Sequence, residues 1–207
     1  MISELKKRDC DISIRLTPCN SQYLHVEMDI QGEHLEYFPA SSMGEQLGAV
    51  VSAIYTLFQE KNDNHEEWKP IEYILNENDG IYTAVTKVDW DNEGNVIELI
   101  FSRKCDVNID YENDLIDIEI KNYDKTLRTY TVKSKDLCYA LAKACTEVLK
   151  EYGFYGYSYS TRKDYFKIHQ LLYIKSFALL SFEARSIDEN DGKASFEREI
   201  ELLTFDM

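Results

Sequence analysis

Twice along this chain, short segments with an apolar residue at every second position give way to a longer one with apolar residues every third or fourth. Period two sends alternate side chains to opposite faces of a strand, and period 3.6 lines one stripe of a helix. Neither element can bury such a face alone, so the order strand-strand-strand-helix, written twice, calls for sheets covered by helices. In the first run the alternation covers Cys10, Ile12, Ile14 and Leu16, then Leu24, Val26, Met28 and Ile30. A turn at Gln31-Gly32 leads to "HLEYFPA". Met43, Leu47, Val50, Val51, Ile54, Leu57 and Phe58 then share one helical stripe, opened by a capping box of Ser42 and Glu45.

The second run follows the same order. Val107, Ile109 and Tyr111 alternate, then Ile116, Ile118 and Ile120, with a turn near Tyr123-Asp124 before "TLRTYTV". Ser134 opens a helix carrying Leu137, Leu141, Cys145, Val148, Leu149 and Tyr152, and Gly153 is its expected stop. The stretches "KRDCDISIRL" and "SRKCDVNIDY" set Cys10 against Cys105, 95 positions on, and Val26-Glu27-Met28 falls on Ile118-Glu119-Ile120 at a shift of 92. The reading is an α+β fold: two tandem β-β-β-α repeats descended from one, with antiparallel sheets covered by helices, plus a C-terminal helix.

Residues 1–62 form the first repeat. Residues 63–153 add an extra hairpin (81–89 and 96–104, turning at Asn92-Glu93-Gly94-Asn95) to the second repeat. Residues 154–207 supply an aromatic loop, an apolar helix from about Tyr165 to Ala184, and a tail. No low-complexity linker separates them, so they are expected to pack as one globule.

Charge sets the class of partner. Thirty-eight acidic against 23 basic residues give a net charge of −15. Such a surface repels nucleic-acid phosphate, which a binder must neutralise with Lys and Arg. It also repels anionic lipid, and it steers cationic proteins toward itself. The longest relevant apolar stretch, "LGAVVSAIYTLF", is too short to span a bilayer. Five cysteines with no CxxC spacing read as free thiols in a reducing compartment, so the expected location is the cytoplasm.

No residue set announces a chemistry. "DVNIDYENDLID" places Asp106, Asn108 and Asp110 at calcium-loop positions 1, 3 and 5, but Tyr111 stands where the turn needs Gly and Asp117 where a bidentate Glu belongs. His25, His34, His65 and His169 are scattered, and His25-Val26-Glu27 lacks the PCxxC that would complete a zinc deaminase site. There is no GxSxG elbow and no glycine-rich phosphate cradle. The expectation is a non-catalytic protein with no metal and no cofactor. The alternative is an enzyme or small-ligand binder with its site between the two repeats.

Two features suggest binding to a protein. Asp106 and Asp110 share one strand face, and Asp117 and Glu119 share the matching face of the next, with no basic residue until Lys121. Like charges on neighbouring strands are unfavourable, so such a face calls for solvent or a cationic partner. Tyr155, Tyr157 and Tyr159 sit among glycines and serines, a composition suited to interfaces. The segment "EYGFYGYSYSTRKDYFKIHQLLYIKSFAL", residues 151–179, resembles the C-terminal part of bacterial immunity proteins, which are encoded beside polymorphic or contact-dependent toxins and neutralise them by binding. The resemblance implies an acidic, catalytically silent protein that covers a basic toxin domain such as a nuclease.

Overall fold

Ile116, Ile118 and Ile120 are buried along one strand while Asp117 between them is exposed and Glu119 is half-buried, as period two dictates. The computed structural model describes residues 10–18, 24–37, 43–58, 71–76, 81–92, 95–105, 112–160, 167–180 and 196–207. Within them the order is β1 (Ile12–Pro18), β2 (Leu24–Ile30), β3 (Glu33–Tyr37), α1 (Met43–Thr56), β4 (Ile71–Leu75), β5 (Tyr82–Asn92), β6 (Asn95–Cys105), β7 (Leu115–Asn122), β8 (Lys125–Lys133), α2 (Ser134–Ser160), α3 (Ile168–Leu179) and α4 (Phe196–Thr204). Strands β1-β2-β3 form one sheet and β4-β5-β6-β7-β8 another, every pairing antiparallel. The fold is α+β.

Strand register corrects the alignment on the cysteines. Ile12 pairs with Ile30 and Pro18 with Leu24, while Ile97 pairs with Asn122 and Arg103 with Ile116. Matching the β2–β3 turn to the β7–β8 turn therefore sets Ile12 against Ile97, not against Val107. Cys10 lies just before β1, whereas Cys105 is the last residue of β6, at the other end of its strand. Cys10 and Cys105 therefore do not occupy equivalent places in their sheets. Register follows from which side chains point into the core, and a Cys-Asp pair beside alternating residues suits either end of a strand. The strand expected over residues 107–111 lies outside the described residues; β5 and β6 form the hairpin read from sequence, and β6 is also the strand that stands next to β7.

The turns differ as well. Gln31 and Gly32 both have positive φ, 52° and 83°, the backbone of a tight hairpin turn. Of the second pair only Tyr123 does, with φ 53°, and a register shift at Ile120/Lys121 takes up the irregularity. Gly153 also departs from expectation. Its φ of 63° and ψ of 170° break α2, but helix resumes beyond it to Ser160. The loop reading rested on composition alone; Tyr, Phe and Ser are middling helix formers that context can turn either way.

The helices exchange sheets. α1, which follows the three-stranded sheet, packs on β5 of the other; α2, which follows β8, packs on β1 and α3. One hydrophobic cluster consequently runs through both sheets and all four described helices, from Ile12 through Ile54, Phe101, Ile118, Leu141 and Phe177 to Leu202. Among the described residues, no helix is long and apolar enough to cross a membrane.

Candidate functional site

Sheet pleating brings Asp117 and Glu119 to the outer face of β7, but their neighbours already engage them. Asp117 accepts a hydrogen bond from Thr131 Oγ1 at 2.6 Å. Glu119 accepts one from Thr126 Oγ1 at 2.6 Å and lies 3.2 Å from Lys121 Nζ. The Thr126 hydrogen bond, helped by Lys121, holds the Glu119 carboxyl below its usual range. On β6, Glu98 stands opposite Lys121, and Lys87 on β5 stands opposite Ile100. The face is thus mixed in charge rather than a bare carboxylate cluster. Asp106 and Asp110 lie outside the described residues. Tyr155, Tyr157 and Tyr159 fall on the last turns of α2: residues 155 and 159 are one turn apart, and 157 is on the opposite side of the helix.

The three-stranded sheet gathers the polar residues that most resemble a catalytic set. Ser13 Oγ donates to Asp29 Oδ2 at 3.0 Å, and His34 Nδ1 lies 2.8 Å from Asp29 Oδ1. The His34 hydrogen bond, with that of Ser13, lowers the Asp29 pKa, and the same contact raises that of His34. The order is wrong for nucleophilic attack, since the serine proton goes to the carboxylate rather than to the imidazole. His25 Nε2 sits 2.9 Å from Glu36 Oε1, and Glu27 faces Arg15 at 3.7 Å, so the His25-Val26-Glu27 stretch is spent on cross-strand pairs. Among the described residues no three His, Cys, Asp or Glu side chains are grouped to hold a metal ion.

Sequence reading missed the buried cations. No basic residue stands in the last turn of any described helix, so the carbonyls left over at those ends need donors from elsewhere. Three come from other elements. Arg103, inward on β6, donates through Nη1 to Leu57 O at the end of α1 (3.2 Å) and through Nε to Asp114 (2.8 Å), with its guanidinium 4.7 Å from the Phe58 ring centroid. Lys135, at the start of α2, reaches Leu180 O at the end of α3 (3.3 Å) and pairs with Glu112. Lys175, on α3, donates to Phe205 O (2.9 Å), Leu203 O (3.4 Å) and Thr146 Oγ1 (3.3 Å), closing α4. Lys175 is 1% exposed, and burial draws its pKa down to about 8. Two of these were legible: Arg103 interrupts the inward row Leu99–Phe101, and Lys175 interrupts the apolar run of α3.

Between the sheets lies a cavity of about 50 Å³, lined by β1, β2, β6, β7, α1 and α2. All sixteen lining side chains are apolar, Val26, Leu47, Ile54, Phe101, Ile118 and Leu141 among them. The alternative reading from sequence calls for a site between the two repeats; among the described residues this cavity offers no polar group to orient a reacting substrate.

No protein-family model matches the chain, and neither does any curated protein or solved structure.

Proposed function

We propose that this is a non-catalytic acidic binding protein of the cytoplasm, an immunity or inhibitor protein that neutralises a basic bacterial toxin domain by occlusion. The observation that carries the reading is where the charge sits. Of the buried ionic side chains among the described residues, Arg103, Lys135 and Lys175 are cations and only Asp114 is an anion. Within its described part, a chain of net charge −15 thus withdraws mainly positive charge into the interior. Among the described residues the surface is therefore more acidic than the composition, which favours rapid capture of a cationic domain. Steric cover of the toxin's own site would then need no chemistry from this chain.

Affinity capture on the immobilised protein tests the reading. Lysate of the source cells is applied at low ionic strength, and bound proteins are released by a salt gradient. A cationic protein, retained at low salt, whose toxic or nucleolytic activity falls when this chain is added back, is the expected result. Retention of no cationic protein, or of one whose activity is unchanged by binding, overturns it.

A further inference from the structure

A helix of nine residues is too short to hold itself together in water, so α4 owes its form to what it docks on. Its principal packing partner is α3. The apolar anchors lie toward its C-terminal end: Leu202 and Met207 are buried in the core cluster and Phe205 packs against it, whereas Ile200 is exposed. The same end carries the buried polar attachment. Lys175 Nζ on α3 meets three acceptors, Phe205 O at 2.9 Å, Thr146 Oγ1 at 3.3 Å and Leu203 O at 3.4 Å. A protonated amine carries three N–H donors, so the set is matched. Thr146 Oγ1 gives its own proton to Ala142 O and accepts from Lys175. A second tie, Lys150 to Asp206, lies at the surface with both side chains more than half exposed.

We propose that α4 and the residues after it, to Met207, form a strap that opens on its own, with the Lys175 ammonium as its latch. Each sheet is held by its own ladder of strand pairs and by the packing of α1 on β5 and α2 on β1. Undocking α4 therefore gives up the contacts of one short element and leaves the rest of the core in place. One side chain holds two carbonyls of the strap at once, so losing its donors strands both. Once undocked, the nine-residue helix unravels and its amides meet water. The closed strap hides the Lys175 amine, and the open strap presents it together with the part of α3 beneath.

Hydrogen exchange read by mass spectrometry on the full-length protein tests this, in buffer and in urea well below the unfolding midpoint. Peptides covering residues 200–207 should exchange about tenfold or more faster than peptides of β6 and β7. Lys175→Met should speed exchange at 200–207 by about a further tenfold and leave β6 and β7 as they were. Lys150→Ala removes only the surface tie and should speed it by about threefold or less. Leu202→Ala loosens the strap from its apolar side and should act on residues 200–207 alone; it decides the matter if Lys175→Met does not fold. Residues 200–207 exchanging in step with β6 and β7 in the unmodified protein, or variants that speed the sheets as much as the strap, would show that no separate strap exists. Exchange at 200–207 unchanged by Lys175→Met, or speeded as much by Lys150→Ala, would show that Lys175 is not the latch. The salt-dependent capture experiment is independent of it, so either can fail alone.

Discussion

Arg103 donates through Nε to the Asp114 carboxylate at 2.8 Å, with only 6% and 5% of the two side chains exposed. Asp114 O also accepts from Ser134 N at 2.9 Å. One ion pair thereby joins β6, the end of α1 and the start of α2. Replacing a buried ion pair with apolar residues can be neutral, but removing one partner strands the other. Asp114→Ala should destabilise the protein by about 3–5 kcal/mol in urea unfolding. The double variant Arg103→Met/Asp114→Leu should recover a large part of that loss, short of the Leu57 carbonyl left without its donor. Equal losses in the single and double variants would show that the charge pairing is not what matters.

Lys175 makes stability depend on pH in an unusual direction. Burial lowers its pKa from 10.5 to about 8, an effect to which Lys150 adds and which Asp206 opposes. Below pH 8 both folded and unfolded chains carry the proton, so this group adds no slope. Between about pH 8 and 10.5 the folded state has released a proton that the unfolded state still binds, so stability rises with pH. The gain over that window is on the order of 1–3 kcal/mol. Urea unfolding at pH 7.5, 8.5 and 9.5, compared with Lys175→Met, isolates it from tyrosine ionisation. Identical slopes in the two proteins would assign the effect elsewhere.

Thiol reactivity should sort the cysteines by position. Cys138 and Cys145 are buried on α2, and burial pushes the Cys145 thiol up to about 12. The thiolate is the reactive form, so at pH 8 Cys145 should label only as fast as the protein unfolds. Of the four described cysteines, Cys10 and Cys105 are half-buried and should react before Cys138 and Cys145. Mass mapping after a timed pulse of a disulfide reagent reads the order. Early labelling of Cys145 would mean that α2 opens locally.

How far these features could be read beforehand depends on the kind of information each needs. The β7 strand was legible because isoleucine and acid alternate through Ile116–Ile120, and the turns at Gln31-Gly32 and Tyr123-Asp124 because chain reversal needs unusual φ. The Cys10–Cys105 match misled because local similarity carries no register, which is settled across the sheet by Arg103 opposite Ile116. The buried cations show the same limit. Periodicity says that Arg103 and Lys175 face inward, yet the carbonyls they satisfy belong to Leu57 and Phe205, 46 and 30 residues away. Likewise the carboxylates of β7 looked unpaired until β8 brought Thr131 to Asp117 and Thr126 to Glu119.

That pairing sharpens what the acidic face would do against a basic partner. Asp117→Asn and Glu119→Gln each remove one charge from a chain of −15. They should slow association at low ionic strength and have little effect at high salt, as steering charges do. The loss should be a small part of the roughly 10–10³-fold that a whole protein field can supply. Stability should change by less than about 1 kcal/mol, because both bonds are at the surface. The tyrosines should act in the other rate. If α2 presents an anchor beyond Gly153, Tyr155→Ala and Tyr159→Ala should both speed dissociation, one or both by roughly 2 kcal/mol or more. Tyr157→Ala, on the opposite side of the helix, should do so far less. Stopped-flow association and surface-based dissociation measured on the captured partner separate the two rates. Equal effects at 155, 157 and 159 would exclude a helical interface there, and association rates indifferent to both acids and salt would exclude steering by this face.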